Sequence, residues 1–256
     1  KVIARLFADQ PAYQRVPDFH AAEQAWRVGT CLLRDSQSWT DWQAGACTIG
    51  EGGAPPVLLF GDSFAAHYVP GLVRRGGANG APVIEYAMEG CPPTLAPDSP
   101  GTSACRAFRA QAVDLASRLG VDHVIVAGSW LEYGTGISMQ ADSTLTAFKA
   151  AGIEVTLVGQ SPNFHIPPYM IIARTVPPDA PQASLPLSAE ARAMNTRLAR
   201  LAARNGAAFI DPAALLCPDG ICPVRLAGKD LYLDYGHFTQ AGSIEVSGAV
   251  FPDRIP

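Results

Sequence analysis

Residues 57–70 read VLLFGDSFAAHYVP, an apolar run that ends in a polar turn and continues into a helix-forming sequence. Such a pattern is typical of a buried strand that leads into a helix. In a sheet of parallel strands, ligands bind beyond the carboxyl ends of the strands, and Ser63 follows this strand directly. The stretch therefore predicts a strand at 57–60, a helix from Phe64, and two alternatives for Ser63. It is either a nucleophile at a helix N-terminus or the polar cap of an ordinary helix.

Short apolar runs alternate with amphipathic stretches from Pro56 onward, which predicts a mostly parallel sheet with helices on both faces. The predicted strands are 57–60, 83–86, 123–127, 153–158 and 207–210, and the predicted helices are 64–75, 104–119, 139–151, 188–204 and a final one after Thr239. We therefore predict a three-layer α/β/α fold with a five-stranded sheet in one domain over residues 56–256. Residues 1–55 show no regular period and are predicted to form a linking extension packed on that domain.

The segment 160–188 interrupts the alternation because it contains seven prolines. Proline excludes both a continuous helix and a central strand here. Its apolar side chains are too numerous for a disordered tether, so we predict an ordered wall or lid.

Composition limits the partners of this chain. Nineteen Lys and Arg residues stand against 23 Asp and Glu residues, and no basic run occurs. This balance gives no electrostatic footprint for a nucleic acid or an anionic membrane surface. No run approaches the eighteen apolar residues that a membrane span needs, and the chain begins with Lys1. We expect a processed or excised piece whose membrane anchor, if it has one, lies outside it.

Six cysteines allow fifteen complete disulfide connectivities, and the sequence alone does not select one. Pairing each cysteine with its neighbour in sequence would close three short loops: Cys31 with Cys47, Cys91 with Cys105, and Cys217 with Cys222. A metal site is the less favoured alternative, because no C-x-x-C motif occurs and the histidines are scattered. Disulfides in turn favour an oxidising compartment.

A serine hydroxyl becomes a nucleophile only when a base takes its proton and a third group orients that base. His237 lies in LYLDYGHFTQAG (231–242), three residues after Asp234 and directly after Gly236. This spacing lets the carboxylate reach Nδ1 of the ring while Nε2 faces outward. The other histidines are weaker candidates; for His67, one turn beyond Ser63, a surface or packing role is favoured over a place in the lining of the pocket.

The order of these motifs resembles the SGNH hydrolase superfamily, with Gly-Asp-Ser after the first strand and Asp-x-x-His near the end. Four further stretches make the resemblance more specific: EYAMEGCPP (85–93), VIVAGSW (124–130), LCPDGICP (216–223) and LYLDYGHFTQAG (231–242). Together they are similar to the periplasmic SGNH domain fused to membrane acyltransferase-3 proteins, which O-acetylate bacterial surface polysaccharides such as O-antigen. The resemblance covers about residues 25–250. It implies a flavodoxin-like SGNH fold and a periplasmic domain tethered to the inner membrane.

The resemblance implies a role for each matching residue. Ser63 would be the nucleophile, His237 the general base and then acid, and Asp234 the group that orients His237. The backbone N–H groups of Ser63 and Gly90 would stabilise the oxyanion.

The chain also departs from the superfamily pattern. The third superfamily motif carries an Asn that also donates to the oxyanion, but this chain has Gly128-Ser129-Trp130 there. Ser129 Oγ and Trp130 Nε1 are the candidate replacements by position. Phe64 stands where the fused family commonly has His.

The same resemblance implies an O-acetyltransferase without a metal or other cofactor. A membrane acyltransferase-3 domain of the same polypeptide would deliver the acyl group, with acetyl-CoA as a candidate ultimate donor. A polysaccharide would accept it in a cleft predicted to include Trp130, Tyr133, Phe164, His165 and Tyr169. Two alternatives stay open: an SGNH esterase or deacetylase that uses the same residues, and a non-catalytic glycan-binding module.

Overall fold

The computed structural model describes residues 17–251 apart from residues 79, 135 and 178. Its strands are β1 (Leu32–Leu33), β2 (Thr48–Ile49), β3 (Val57–Gly61), β4 (Val83–Met88), β5 (His123–Ala127), β6 (Glu154–Val158), β7 (Ala183–Pro186), β8 (Ala208–Ile210), β9 (Ile221–Leu226) and β10 (Lys229–Asp230). Its α-helices are α1 (Phe19–Ala25), α2 (Ala44–Cys47), α3 (Ser63–Ala66), α4 (Val69–Arg75), α5 (Ser103–Ala110), α6 (Ala112–Arg118), α7 (Ile137–Ala150), α8 (Pro168–Thr175), α9 (Ala189–Asn205), α10 (Pro212–Leu216) and α11 (Gln240–Val250).

The five predicted strands form the centre of the sheet in the order β4-β3-β5-β6-β8, with every adjacent pair parallel. This is the flavodoxin-like order, in which the chain direction across the sheet reverses between β3 and β5. The predicted fold class is therefore confirmed. Ser63 follows β3 and Ser129 follows β5, so both flank the crevice where such folds bind ligands.

Two short strands extend the sheet beyond the five that the sequence predicts. β1 pairs with β4 in parallel, and β2 pairs with β4 antiparallel. Each is two residues long, which is too short to give a periodic signal in the sequence. Both precede residue 56, and the predicted division of the chain at residue 55 stays a prediction.

The proline-rich segment is built from α8 and β7, and β7 joins β9 and β10 in a second, three-stranded antiparallel sheet. Pro168 is the first residue of α8. A backbone N–H at this position would have no acceptor within the helix, so proline, which lacks the N–H, is compatible with it. Pro186 ends β7, which lies at an edge of the small sheet. Proline thus sets the ends of these elements rather than preventing them.

Apolar residues of β3 alternate between two cores, one on each face of the sheet. Leu58 and Phe60 face the core covered by α5, α6, α7 and α9, whereas Val57 and Leu59 face the core covered by α4, α10 and α11. All five residues of β3 are buried, as expected for a central strand covered on both faces.

Gly61 lets β3 and β5 approach closely where the turn from β3 into α3 begins. A Cβ built on Gly61 would lie 1.9 Å from the carbonyl oxygen of Ala127 and 2.5 Å from Cβ of Ala65.

We expect Gly61→Ala to lower the free energy of unfolding by about 3 kcal/mol, because the backbone at Ala127 must move to relieve the overlap. Urea unfolding measures the change. Gly53→Ala is the control, since a Cβ there meets nothing within 4 Å, and an equally stable Gly61→Ala protein would contradict this reading of the turn.

Three disulfides join the cysteines that are neighbours in sequence: Cys31–Cys47, Cys91–Cys105 and Cys217–Cys222. The first closes the segment that carries β1 and α2, and the second links the turn after β4 to α5. The third joins the end of α10 to β9. Among the described residues, no helix has the length and apolar character needed to cross a membrane.

Candidate active site

The turn from β3 into α3 places Ser63 at the first position of a helix. Asp62 caps this helix, since its Oδ1 accepts a hydrogen bond from the backbone N–H of Phe64 at 2.7 Å. The side chain of Asp rather than Ser therefore fills the N-cap position. Ser63 is half-buried, and its hydroxyl is left free for another partner.

A tight turn between Asp234 and His237 presents the histidine ring. Oδ1 of Asp234 accepts hydrogen bonds from the backbone N–H groups of Gly236 at 2.9 Å and of His237 at 2.8 Å. Oδ2 of the same carboxylate lies 2.8 Å from Nδ1 of His237. A carboxylate at Nδ1 favours the tautomer with the proton there, so that Nε2 is a proton acceptor.

Ser63 and His237 meet across 174 positions of sequence, with Nε2 of the histidine 2.8 Å from Oγ of the serine. Burial raises the pKa of Asp234, but the hydrogen bond and charge of His237, with two backbone N–H groups, outweigh burial and lower this pKa. Asp234 is therefore ionised at neutral pH and can stabilise a protonated His237. The three side chains form the hydrogen-bonded line through which a base can take the serine proton.

Aromatic rings surround the imidazole of His237. The ring of Phe64 lies 4.1 Å from it between centroids, and that of Trp26 lies 5.1 Å away. His67 is fully buried nearby, with Nε2 3.4 Å from Oγ of Ser161. Burial, with the nearby charge of His237 as a second cause, lowers the pKa of His67 well below its usual value. His67 is thus a neutral packing residue, as expected.

Asp62 connects the turn from β3 into α3 to the loop after β5. Its Oδ2 accepts hydrogen bonds from the backbone N–H of Ser129 at 2.9 Å and from the hydroxyl of Tyr133 at 2.8 Å. With the bond to Phe64, one fully buried carboxylate joins the start of α3 to the loop after β5 through three hydrogen bonds. The Gly-Asp-Ser sequence therefore needs its Asp for the shape of the site.

Burial raises the pKa of Asp62 to about 6, although the N–H of Ser129, the hydroxyl of Tyr133 and the N–H of Phe64 oppose the change. Because the folded pKa exceeds the unfolded one, the free energy of unfolding should fall as pH rises from about 4 to 6. The fall attributable to Asp62 is about 3 kcal/mol. Asp62→Asn should have a lower free energy of unfolding than the wild type and should lack this fall between about pH 4 and 6. Urea unfolding at several pH values measures both. Parallel pH profiles of the two proteins would contradict this prediction.

Two backbone N–H groups are free to stabilise an oxyanion. Neither Ser63 nor Gly90 has a hydrogen-bond acceptor for its N–H among the residues that the structure describes. Gly90 lies in the exposed turn after β4 with a φ of +61°, a conformation that favours glycine. A Cβ on Gly90 would meet nothing within 4 Å, so its conformation, and not crowding by the protein, accounts for the glycine.

The two candidate replacements for the missing Asn differ in the structure. Oγ of Ser129 is buried and has no hydrogen-bond partner among the described residues, so it is available. Nε1 of Trp130 instead donates to the carbonyl oxygen of Val158 at 2.9 Å, and the residue is fully buried. The expectation that Trp130 donates to an oxyanion is therefore wrong, because its N–H is already used to join β6 to the loop after β5.

The predicted cleft residues also separate into two groups. Trp130 and Phe164 are buried in the two cores, Phe164 against Tyr232 with ring centroids 5.0 Å apart, so neither lines an open cleft. This corrects their prediction as substrate-binding residues, since packing against the sheet uses both side chains. Tyr133 and Tyr169 are half-buried, and His165 is exposed beside Glu190. No hydrogen bond or ring contact within the described residues joins His165 or Tyr169 to the triad, and their binding roles stay predictions.

Three residues of the site escape the sequence analysis. Trp26 lies in a segment without periodicity, and the structural use of Asp62 depends on contacts far away in sequence. Asn163 is half-buried beside the turn between Asp234 and His237. Its Nδ2 lies 3.1 Å from the position that a Cβ on Gly236 would occupy. The one signal in the sequence that concerns Asn163 is its place in the proline-rich segment 160–188, which is predicted to form an ordered wall or lid.

The fold is that of SGNH-like α/β proteins. The chain is similar to a structure of the periplasmic domain of a lipopolysaccharide acetyltransferase from Salmonella ser. Paratyphi A, with 16% identity and a TM-score of 0.73 over 94% of this chain and 95% of that one. It is also similar to the native aryl esterase of M. smegmatis, with 16% identity and a TM-score of 0.51 over 77% of this chain and 96% of that one. At such identities the likeness concerns the fold.

A family model described as the SGNH domain fused to AT3 domains matches residues 30–252. The chain belongs to this family. No curated protein matches it in sequence.

Proposed function

We propose that this chain is an O-acetyltransferase domain that acetylates a bacterial surface polysaccharide through an acyl-serine intermediate. The observation that carries the proposal is the hydrogen-bonded line from Asp234 through His237 to Ser63, with 2.8 Å at both steps. Membership of a family of SGNH domains fused to AT3 domains supports transfer, because an acyltransferase domain in the same polypeptide would supply the acyl group.

In the first half-reaction, Oγ of Ser63 attacks the acyl carbonyl carbon while Nε2 of His237 takes the hydroxyl proton. The oxyanion that forms accepts hydrogen bonds from the N–H groups of Ser63 and Gly90, with Oγ of Ser129 as a third candidate donor. Collapse of this intermediate breaks the bond to the donor, and the leaving group receives the proton from His237. The products are an acetyl ester on Ser63 and the free donor.

In the second half-reaction, a sugar hydroxyl gives its proton to His237 and attacks the ester carbon. The bond to Oγ of Ser63 then breaks, and Ser63 regains its proton from His237. The net change is an acetylated sugar and an unchanged enzyme. These steps need no metal or other cofactor.

A periplasmic location agrees with this proposal. The three disulfides suit an oxidising compartment, and the similar Salmonella protein is described as a periplasmic domain. A membrane acyltransferase domain of the same polypeptide would tether the chain to the inner membrane.

An esterase or deacetylase is the second candidate function, and the fold shared with an aryl esterase favours it. Both candidates share the first half-reaction and differ in whether water or a sugar attacks the acyl-serine. A non-catalytic glycan-binding module would not require Ser63, His237 and Asp234 to be aligned by hydrogen bonds, so the geometry favours the two enzymes over it.

The two enzyme functions are separated by supplying p-nitrophenyl acetate as donor, with and without de-O-acetylated lipopolysaccharide as acceptor. We expect acetyl groups to accumulate on the polysaccharide while the release of free acetate falls by the same amount. Release of acetate that no acceptor changes would contradict transfer and favour the esterase.

A further inference from the structure

Trp26 packs against the ring of His237, although it lies outside the predicted catalytic domain. The two ring centroids are 5.1 Å apart and the planes are inclined by 33°. Trp26 is 6% exposed and shares an apolar cluster with Ala66, on the helix that begins at Ser63, and with Leu233, which precedes Asp234. One indole therefore packs close to the chain around all three residues of the triad.

The backbone that carries Trp26 is firmly held. Trp26 is the C-cap residue that follows α1, and its N–H donates to the carbonyl of Ala22 at 2.9 Å. The next residue, Arg27, binds the fully buried carboxylate of Glu85 on β4 through Nε at 3.0 Å and Nη2 at 2.8 Å. Arg27 also donates to the carbonyl of Cys47, within the loop closed by the first disulfide. The indole is thus fixed to the sheet and does not depend on α1 alone.

The indole N–H of Trp26 has a feature that packing does not explain. It is buried and lacks a hydrogen-bond acceptor among the described residues. A buried donor without a partner destabilises a fold, and such groups are rare. The N–H therefore does not explain why an aromatic ring lies here, and the contribution of Trp26 to the site must come from the ring that packs on His237.

We propose that Trp26 is a positioning residue for His237. Its ring limits the rotation of the imidazole and keeps bulk water away from the hydrogen bond between Nδ1 and Asp234, so that Nε2 stays directed at Oγ of Ser63. This proposal rests on the proposed function, in which His237 exchanges protons with Ser63. It also makes the segment before residue 56 a part of the active site.

The test compares Trp26→Ala and Trp26→Phe with a matched pair, Trp39→Ala and Trp39→Phe. Trp39 lies in the same segment but packs, half-buried, against the core on one face of the sheet. With p-nitrophenyl acetate we expect Trp26→Ala to lower kcat by about 10- to 100-fold with little change in KM, because the base is misplaced and binding is not. Trp26→Phe should restore most of the rate, and both Trp39 variants should resemble the wild type.

A second readout does not depend on turnover. The Nδ1 proton of His237, held by Asp234, should give a low-field proton resonance in the wild type and in Trp26→Phe. In Trp26→Ala we expect this resonance to broaden through exchange with water. A folded Trp26→Ala protein with wild-type kcat and an unchanged resonance would overturn the proposal, and so would equal effects in Trp39→Ala.

These outcomes are distinguishable from a failure of the proposed function. If hydrolysis persisted in Ser63→Ala, the acyl-serine mechanism would fail, whereas the resonance would still report whether Trp26 holds His237. If Ser63→Ala were inactive but Trp26→Ala behaved as the wild type in both readouts, only the positioning role would fail.

Discussion

Replacing Ser63 by alanine is expected to lower kcat for p-nitrophenyl acetate by about 10⁵- to 10⁶-fold. Oγ of Ser63 is the atom that lies 2.8 Å from the proposed base, and no other hydroxyl of the described chain is hydrogen-bonded to Nε2 of His237. Without it, no acyl-enzyme can form. What activity remains would come from the oxyanion donors acting on a water molecule.

The Ser63→Ala protein should fold as the wild type does. The side chain of Ser63 makes one hydrogen bond within the described residues, to His237, and alanine is compatible with the first turn of α3. We expect a melting temperature within about 2 °C of the wild type. Ser117→Ala, which changes an exposed serine of α6, is the matched control and should leave both properties unchanged. A Ser63→Ala protein with more than a tenth of the wild-type rate would contradict the assignment.

Asp234→Asn is expected to lower kcat by about 10³- to 10⁴-fold. The amide oxygen can replace Oδ1 and still accept from the N–H groups of Gly236 and His237, which directs the NH₂ group at Nδ1. His237 would then carry its proton on Nε2 and could not take one from Ser63. Steady-state kinetics measure the loss, and Asp114→Asn on the exposed face of α6 is the matched control.

The same substitution should alter stability in acid. Because the folded protein lowers the pKa of Asp234, its stabilising contribution is present above the ordinary carboxylate pKa of about 4 and is lost as pH falls through the folded value. Asp234→Asn removes this contribution, so the difference in unfolding free energy from the wild type should be largest near neutral pH and shrink in acid. A difference that stays constant from pH 7 to about pH 2 would contradict this linkage.

The central strands were predictable because each leaves a strong local signal. β3 is a run of buried apolar residues that ends in a turn, and the alternation with helices predicts parallel pairing. β1 and β2 leave no such signal, because two residues cannot show a period. Their pairing with β4 depends on the disulfide loop and on tertiary contacts, which the local sequence does not encode.

The site was predictable to the extent that its parts are local in sequence. Asp234 and His237 lie three residues apart, and Ser63 directly follows a predicted strand. These local features are enough to make the three residues candidates for a catalytic site. Trp130 and Phe164 were misjudged, because an aromatic residue near a strand end can face either the core or the crevice. Trp26 could not be found, since its contact with His237 joins a segment without period to the far end of the chain.

The most direct measurement is peptide mapping by mass spectrometry during turnover of p-nitrophenyl acetate. We predict one acetyl group on the peptide that contains Ser63, and its transfer to de-O-acetylated lipopolysaccharide when that acceptor is added. Acetylation of the polysaccharide with no acetyl group ever detected on Ser63, or with full yield in Ser63→Ala, would contradict the acyl-serine mechanism.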